Sequence, residues 1–129
     1  MEKITGLLVK PEYGTIERVS IRKSLEGYYE ALNCSCIDIV TRSIGGKNYE
    51  IVCDDEALCK EGAIVSAMSN KHEPMLFNRL FVAKSDGKED LCSLSHDEIC
   101  DIVTNHVRKV FSASRRGTWQ ILYNVDYPA

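Results

Sequence analysis

Residues 36–56 read CIDIVTRSIGGKNYEIVCDDE and predict two strands joined by a tight turn. In both halves apolar and polar residues alternate, which is the period-two pattern of a strand with one buried face. Gly45-Gly46 lies between the halves, and glycine adopts the positive φ of a tight hairpin turn without steric cost. The second strand ends in three acidic residues. The clearest prediction of the sequence therefore concerns a β-sheet and not a reaction.

The composition is that of an ordinary soluble globular chain. Its 129 residues suit one domain, and 44% of them are hydrophobic and 27% charged. The formal net charge of −3 argues against non-specific binding to nucleic acid. The sequence has no apolar run near the roughly 20 residues that span a bilayer, and its first residues lack the apolar stretch of a secretion signal. We therefore expect a cytoplasmic protein that does not enter the membrane and whose six cysteines are reduced thiols.

The first third of the chain predicts a strand pair followed by a helix. Residues 3–10 and 15–22 alternate across a short turn, which favours an antiparallel pair. Ser24 is a suitable N-cap for a helix that Gly27 weakens and that ends at Asn33. The apolar stripe of this helix has the i, i+3, i+4, i+7 spacing and consists of Leu25, Tyr28, Tyr29 and Leu32.

The middle of the chain contains an ambiguous region and two clearer elements. Residues 66–74 are polar and predict a surface loop, whereas residues 76–84 predict a strand with apolar side chains on both faces. Ser95 and Glu98 have the spacing of a capping box, which marks the start of a helix. The apolar stripe that follows predicts a long amphipathic helix that runs to Phe111.

Together these elements predict a single α+β domain with a mixed, mostly antiparallel sheet in the order β-β-α-β-β-β-α-β. The long second helix is expected to pack on one face of that sheet. In this interpretation residues 1–111 form the α+β domain, and residues 112–129 form a basic linker and a C-terminal strand. That strand packs either on the same domain or on a second subunit, as in a homodimer.

Reactive side chains are present, but their spacing matches no familiar type of catalytic or metal site. The cysteines lack the short spacing of structural zinc sites, although His96 and Cys100 are separated by one helical turn. His106 falls on the apolar stripe of the second helix and His72 in the polar loop, and no thiol lies in a strained glycine-flanked elbow. We therefore predict no catalytic residue, no metal ligand and no cofactor.

The acidic cluster Asp54-Asp55-Glu56 allows two interpretations. The simpler one is a solvated turn at the end of a strand, because the run lacks the Asp/Asn/Gly pattern of a calcium loop. The alternative is a small-ligand or nucleotide-binding module that uses these carboxylates together with Tyr49 or Lys60.

Residues 118–127 predict a strand whose aromatic face must cover another surface. Aromatic residues and arginine are enriched at protein interfaces. The candidate interface residues are Arg115, Arg116, Trp119, Tyr123 and Tyr127. A weaker alternative is nucleic-acid binding, because Arg108 and Lys109 precede the same basic and aromatic residues.

Six segments of the chain follow the pattern of one known family. They are Lys10-Pro11 and residues 25–29 (LEGYY), 37–40 (IDIV), 49–56 (YEIVCDDE), 78–83 (NRLFVA) and 94–99 (LSHDEI). In these segments the chain resembles the uncharacterised bacterial and phage family catalogued as domain of unknown function 3846. The resemblance implies a small protein often carried on phages and other mobile elements, and it transfers no functional residues. From it we expect a non-enzymatic protein that binds a host protein, and inhibition of a host defence system is the most concrete form of that function.

Overall fold

The computed structural model describes residues 2–88, 90–112 and 117–129. The described residues form eleven strands, two α-helices and one short 3-10 helix. In chain order these are β1 (Lys3–Lys10), β2 (Thr15–Arg22), α1 (Leu25–Leu32), β3 (Ile37–Ile44), β4 (Lys47–Asp54), the 3-10 helix (Ala57–Cys59), β5 (Val65–Met68), β6 (Pro74–Phe77), β7 (Leu80–Ser85), β8 (Leu91–Cys92), α2 (His96–Asn105), β9 (Val107–Ser112), β10 (Gly117–Leu122) and β11 (Val125–Asp126).

The strands form a large sheet and a small sheet. The large sheet has the order β11-β3-β4-β7-β1-β2, with β8 paired to the end of β7, and the small sheet has the order β6-β5-β10-β9. Paired strands are antiparallel except for β10 and β5, which are parallel. The prediction of an α+β chain with mostly antiparallel pairing is therefore confirmed. The predicted order β-β-α-β-β-β-α-β, with six strands in one sheet, is wrong, because the described residues form eleven strands in two sheets.

Two cores lie on opposite faces of the large sheet. The first core is filled by α2 and the small sheet, and the second core by α1. In the central strand β7, Leu80 and Val82 belong to the first core, whereas Phe81 and Ala83 belong to the second. All four side chains are 0% exposed. The prediction that this strand is covered on both faces is confirmed.

The elements with strong local signals form where the sequence predicts them. The β3–β4 hairpin turns at Gly45 and Gly46, whose φ values are 62° and 89°. The Ser24 side chain accepts a hydrogen bond from the Gly27 amide at 3.1 Å and caps α1. Asn33 ends α1 in the left-handed conformation, with a φ of 52°.

The prediction of a long second helix was wrong, because α2 ends at Asn105 and residues 107–112 form β9. The sequence does contain apolar residues at helical spacing. However, the last of them are β-branched or aromatic and fit a strand equally well: Val107, Val110 and Phe111. The neighbouring β10 decides between the two structures, because it pairs with β9 along its whole length. A helix could not form the backbone hydrogen bonds that join these residues to β10.

The predicted loop at residues 66–74 and the single strand at residues 76–84 also need correction. The structure places β5 and β6 in this region, and β6 ends before Asn78. Asn78 has a φ of 63°, so it breaks the run between β6 and β7. The sequence did not predict β5 because its residues are mostly small or polar, although Ser66 and Ala67 are fully buried in the structure.

The predicted C-terminal strand is divided at Asn124, which has a φ of 61°. Before that residue, β10 pairs with β9 and β5 in the small sheet. After it, β11 pairs with β3 in the large sheet. Both segments therefore pair with strands of the same chain, and they connect its two sheets.

The described helices are α1, with 8 residues, and α2, with 10. Neither has the length and apolar character that crossing a membrane requires.

The capping box at the start of α2 gives a prediction with a defined pH dependence: Glu98→Gln should destabilise the protein at neutral pH and much less in acid. Glu98 accepts hydrogen bonds from the Ser95 amide at 2.7 Å and from Lys84 Nζ at 2.8 Å. Burial alone would raise the pKa of Glu98, but these hydrogen bonds outweigh it and lower the pKa below the usual 4.5.

A carboxyl group with a lowered folded-state pKa stabilises the protein above its unfolded-state pKa, and the stabilisation is lost as the pH falls through the folded-state value. Glutamine keeps an acceptor but loses the ion pair, so we expect a cost of about 1 kcal/mol at about pH 7. Urea denaturation of both proteins at about pH 7 and about pH 3 measures this difference. A difference that stays constant in acid would contradict the assignment.

Candidate interaction surface

The acidic cluster at the end of β4 contains one buried and two exposed carboxylates. The Asp54 side chain is 5% exposed and forms an ion pair with Lys60. It also accepts a hydrogen bond from the Glu56 amide at 2.9 Å. The Asp54 carboxylate raises the pKa of Lys60, so the ammonium stays charged. Asp54 and Lys60 neutralise each other and hold the turn, while Asp55 and Glu56 face solvent.

A ligand at this cluster would have to displace the Asp54–Lys60 ion pair. Tyr49, the other residue proposed for that role, is 2% exposed and belongs to the first core. The structure therefore does not bring Tyr49 together with the exposed carboxylates. In the described part of the chain, no three His, Cys, Asp or Glu side chains are placed to hold a metal ion.

The thiols near this end of the large sheet are poor nucleophiles at neutral pH. All six cysteines are free. Burial raises the pKa of Cys53 to about 11 and also raises the pKa of Cys34. The pKa of Cys36 is raised by its hydrogen bond with the Glu56 carboxylate. Because the thiolate is the reactive form, the raised pKa values of these three thiols disfavour that form.

His96 and Cys100 contact each other on the exposed side of α2. Cys100 Sγ lies 3.4 Å from His96 Nε2, and both residues are exposed. The one-turn spacing in the sequence thus brings these two side chains together.

The C-terminal aromatic residues differ in what they contact. Trp119 is half-buried and donates a hydrogen bond from Nε1 to the Val65 carbonyl at 3.2 Å, so it fastens β10 to β5. Arg115 and Arg116 lie outside the described residues. Of the predicted interface residues, the structure therefore describes Trp119, Tyr123 and Tyr127, and the Trp119 ring is engaged with β5.

Tyr123 and Tyr127 each lie against an arginine. The Arg108 guanidinium lies 4.1 Å from the centre of the Tyr123 ring, and the Arg42 guanidinium lies 5.2 Å from that of Tyr127. Tyr123 also donates a hydrogen bond to the Asn70 carbonyl at 3.2 Å. Tyr127 is 66% exposed, and Arg108 is exposed as well. We refer to these two tyrosine–arginine pairs, of which Tyr123 and Arg42 are half-buried, as the Tyr–Arg surface.

The arginines of the Tyr–Arg surface, Arg42 and Arg108, have no ion-pair partner within the described part of the chain. The exposed Tyr13 offers a contrast, because its neighbour Arg79 is already bound to Glu12 at 3.1 Å. A stacked but unneutralised arginine is suited to a carboxylate supplied by another molecule.

The sequence predicted the two tyrosines of this surface but not Arg42. Arg42 lies in the middle of β3, where it looks like an ordinary solvent-facing residue of an alternating strand. It reaches Tyr127 only because β11 returns to pair with the end of β3. No signal within a few residues of Arg42 indicates that contact.

Comparison with known proteins identifies one family. The family model described as Domain of unknown function (DUF3846) matches residues 4–108, which include both helices and, apart from Lys3, every strand from β1 to β8. No curated protein and no solved structure matches the chain significantly.

Proposed function

We propose that this chain, which belongs to the DUF3846 family, is a non-enzymatic binding protein that contacts another protein through its Tyr–Arg surface. The observation that carries the proposal is the exposure of Tyr127, at 66%, on an arginine without a described carboxylate partner. Tyrosine and arginine contribute most to binding free energy at protein interfaces. Guanidinium groups without an ion-pair partner among the described residues favour a partner with an acidic surface.

The partner we propose is a cytoplasmic host protein, and this chain would be the product of a phage or other mobile element that binds it. Six free thiols suit a reducing compartment. Inhibition of a host defence system is the most concrete form of this function, and it rests on the family resemblance alone.

Affinity capture from host-cell lysate tests the proposal. The bait is the whole chain, compared with the double variant Tyr127→Ala/Arg108→Gln and with Tyr13→Ala. Tyr13 is a matched control because it is 69% exposed and also lies near an arginine. We expect the wild type and Tyr13→Ala to retain the same acidic protein, and the double variant to lose it by more than tenfold.

The salt dependence of capture provides a second measurement. An interface based on guanidinium–carboxylate contacts should weaken as the salt concentration rises. If all three baits retain the same proteins, or if none retains a specific protein, the proposed function is wrong.

A further inference from the structure

β9 is an edge strand whose outer side is open. It is the last strand of the small sheet and, among the described residues, pairs only with β10. It has six residues, contains no proline and pairs in continuous register. A regular edge of this kind can accept an additional strand.

The hydrogen bonds of the small sheet show which backbone groups of β9 face outwards. The Tyr123 amide donates to the His106 carbonyl at 2.8 Å, and this pair continues the β9–β10 register. In an antiparallel ladder, hydrogen-bonded pairs occur at every second residue. Arg108 and Val110 therefore bond to β10, whereas the N–H and C=O groups of Val107, Lys109 and Phe111 point away from the sheet. The Gln120 amide supports this assignment of inward and outward groups. It donates to the Gly14 carbonyl, on the side of β10 opposite β9.

The edge of β3 is closed by its own side chains. The Ile39 amide donates to the Asp38 carboxylate, and the Thr41 carbonyl accepts from the Arg42 guanidinium, both at 2.9 Å. The end of β3 is covered by β11. Such capping protects an edge from unwanted pairing.

The edges of β6 and β2 are also less suitable, and β8 and β11 have only two residues each. β6 has four residues, begins with Pro74 and pairs irregularly. The β2 edge presents exposed Glu17 and Arg18, which have opposite charges. Its last carbonyl, that of Arg22, accepts the Ser24 amide at 3.0 Å. In the described part of the chain, β9 is thus the edge that combines a regular ladder with charges of one sign.

We propose that β9 accepts an extended acidic segment of the partner protein as an added β-strand. The inference rests on the proposed function and specifies how the partner is bound. Lys109 and Arg108 are both exposed and project from opposite faces of β9, so they favour acidic residues at neighbouring positions of the added strand. Phe111, which is 70% exposed, favours an apolar side chain beside it.

A second copy of this chain is the less favourable occupant of the β9 edge. Pairing two β9 strands would bring the same cations, Arg108 and Lys109, to one seam, and like charges on adjacent strands repel each other. Sedimentation of the free protein measures this alternative. A dimer that Phe111→Asp abolishes would mean that the edge serves self-association and would overturn the proposal.

The test uses a displayed library of random extended peptides, selected on the whole chain and then measured against variants. Lys109→Pro removes the outward N–H of β9 without touching a bond to β10, because proline lacks that donor. Lys109→Gln removes the same charge and keeps the donor. We expect the selected peptides to be acidic and to bind Lys109→Gln within about fivefold of the wild type, and Lys109→Pro more than tenfold more weakly.

Phe111→Asp is a second variant that leaves every backbone donor in place. It adds a negative charge beside the added strand, and we expect it to weaken acidic peptides at least fivefold. Selection of no peptide, selection of non-acidic peptides, or equal binding by Lys109→Pro and Lys109→Gln would each overturn the proposal. If the host partner is lost with Tyr127→Ala/Arg108→Gln but still binds Lys109→Pro like Lys109→Gln, the proposed function stands and strand addition alone fails.

Discussion

Phe81→Ala is expected to lower the free energy of unfolding by about 3–5 kcal/mol. Phe81 is 0% exposed in the central strand β7, and its ring centre lies 6.2 Å from that of Tyr28 on α1. Removing the ring would leave a cavity in the second core, between the large sheet and α1. A domain of this size has a total stability of about 5–15 kcal/mol, so the loss is a large part of it.

Phe111→Ala is the matched control for Phe81→Ala. The chemical change is the same, but Phe111 is 70% exposed on the edge strand β9. We expect a change of less than about 0.5 kcal/mol. Urea denaturation of the three proteins, followed by circular dichroism, measures both values. Similar losses for the two variants would mean that the second core does not depend on Phe81.

Gly27→Ala should destabilise the protein by about 2–3 kcal/mol, although alanine is the better helix former. Helix propensity alone predicts a gain of about 1 kcal/mol. A Cβ at position 27, however, would lie 2.1 Å from the carbonyl oxygen of Arg22, at the point where α1 meets the end of β2. Since that neighbour is a backbone atom, it cannot move away without shifting the strand.

Gly117→Ala serves as the control for Gly27→Ala. Gly117 begins β10, and a Cβ there would have no atom within 4 Å. We expect this variant to be neutral or stabilised by up to about 1 kcal/mol, because alanine restricts the unfolded chain. Thermal unfolding of both variants measures the effects. If Gly27→Ala is the more stable of the two, the close approach of α1 to β2 is wrong.

Stability and binding depend on different parts of this chain. The large sheet is buried on both faces at its centre, whereas Tyr127, Arg108 and Phe111 lie in edge or C-terminal segments. Variants of the surface should therefore alter binding without unfolding the protein. This separation is what makes the capture and peptide experiments interpretable.

Several elements follow from sequence signals that lie within a few residues of one another. The β3–β4 hairpin, the caps of α1 and the capping box of α2 follow from local hydrogen bonds and from the φ values that glycine and asparagine adopt. The same holds for the apolar residues on both faces of β7, which bury that strand on both sides. The assignment of Tyr123 and Tyr127 to an interface, made from their place in an aromatic segment, stays a prediction.

Tertiary structure alone decided whether residues 107–112 form a helix or a strand, and where the C-terminal segment goes. Apolar residues such as Val107 and Phe111 fit both patterns, so the choice depends on the ladder that β10 provides. The contact of Arg42 with Tyr127 likewise requires β11 to cross from the small sheet to β3. The pairing of β11 with β3 joins residues far apart in the chain. The free energy of both pairings depends on a partner strand that the pattern of one segment does not contain.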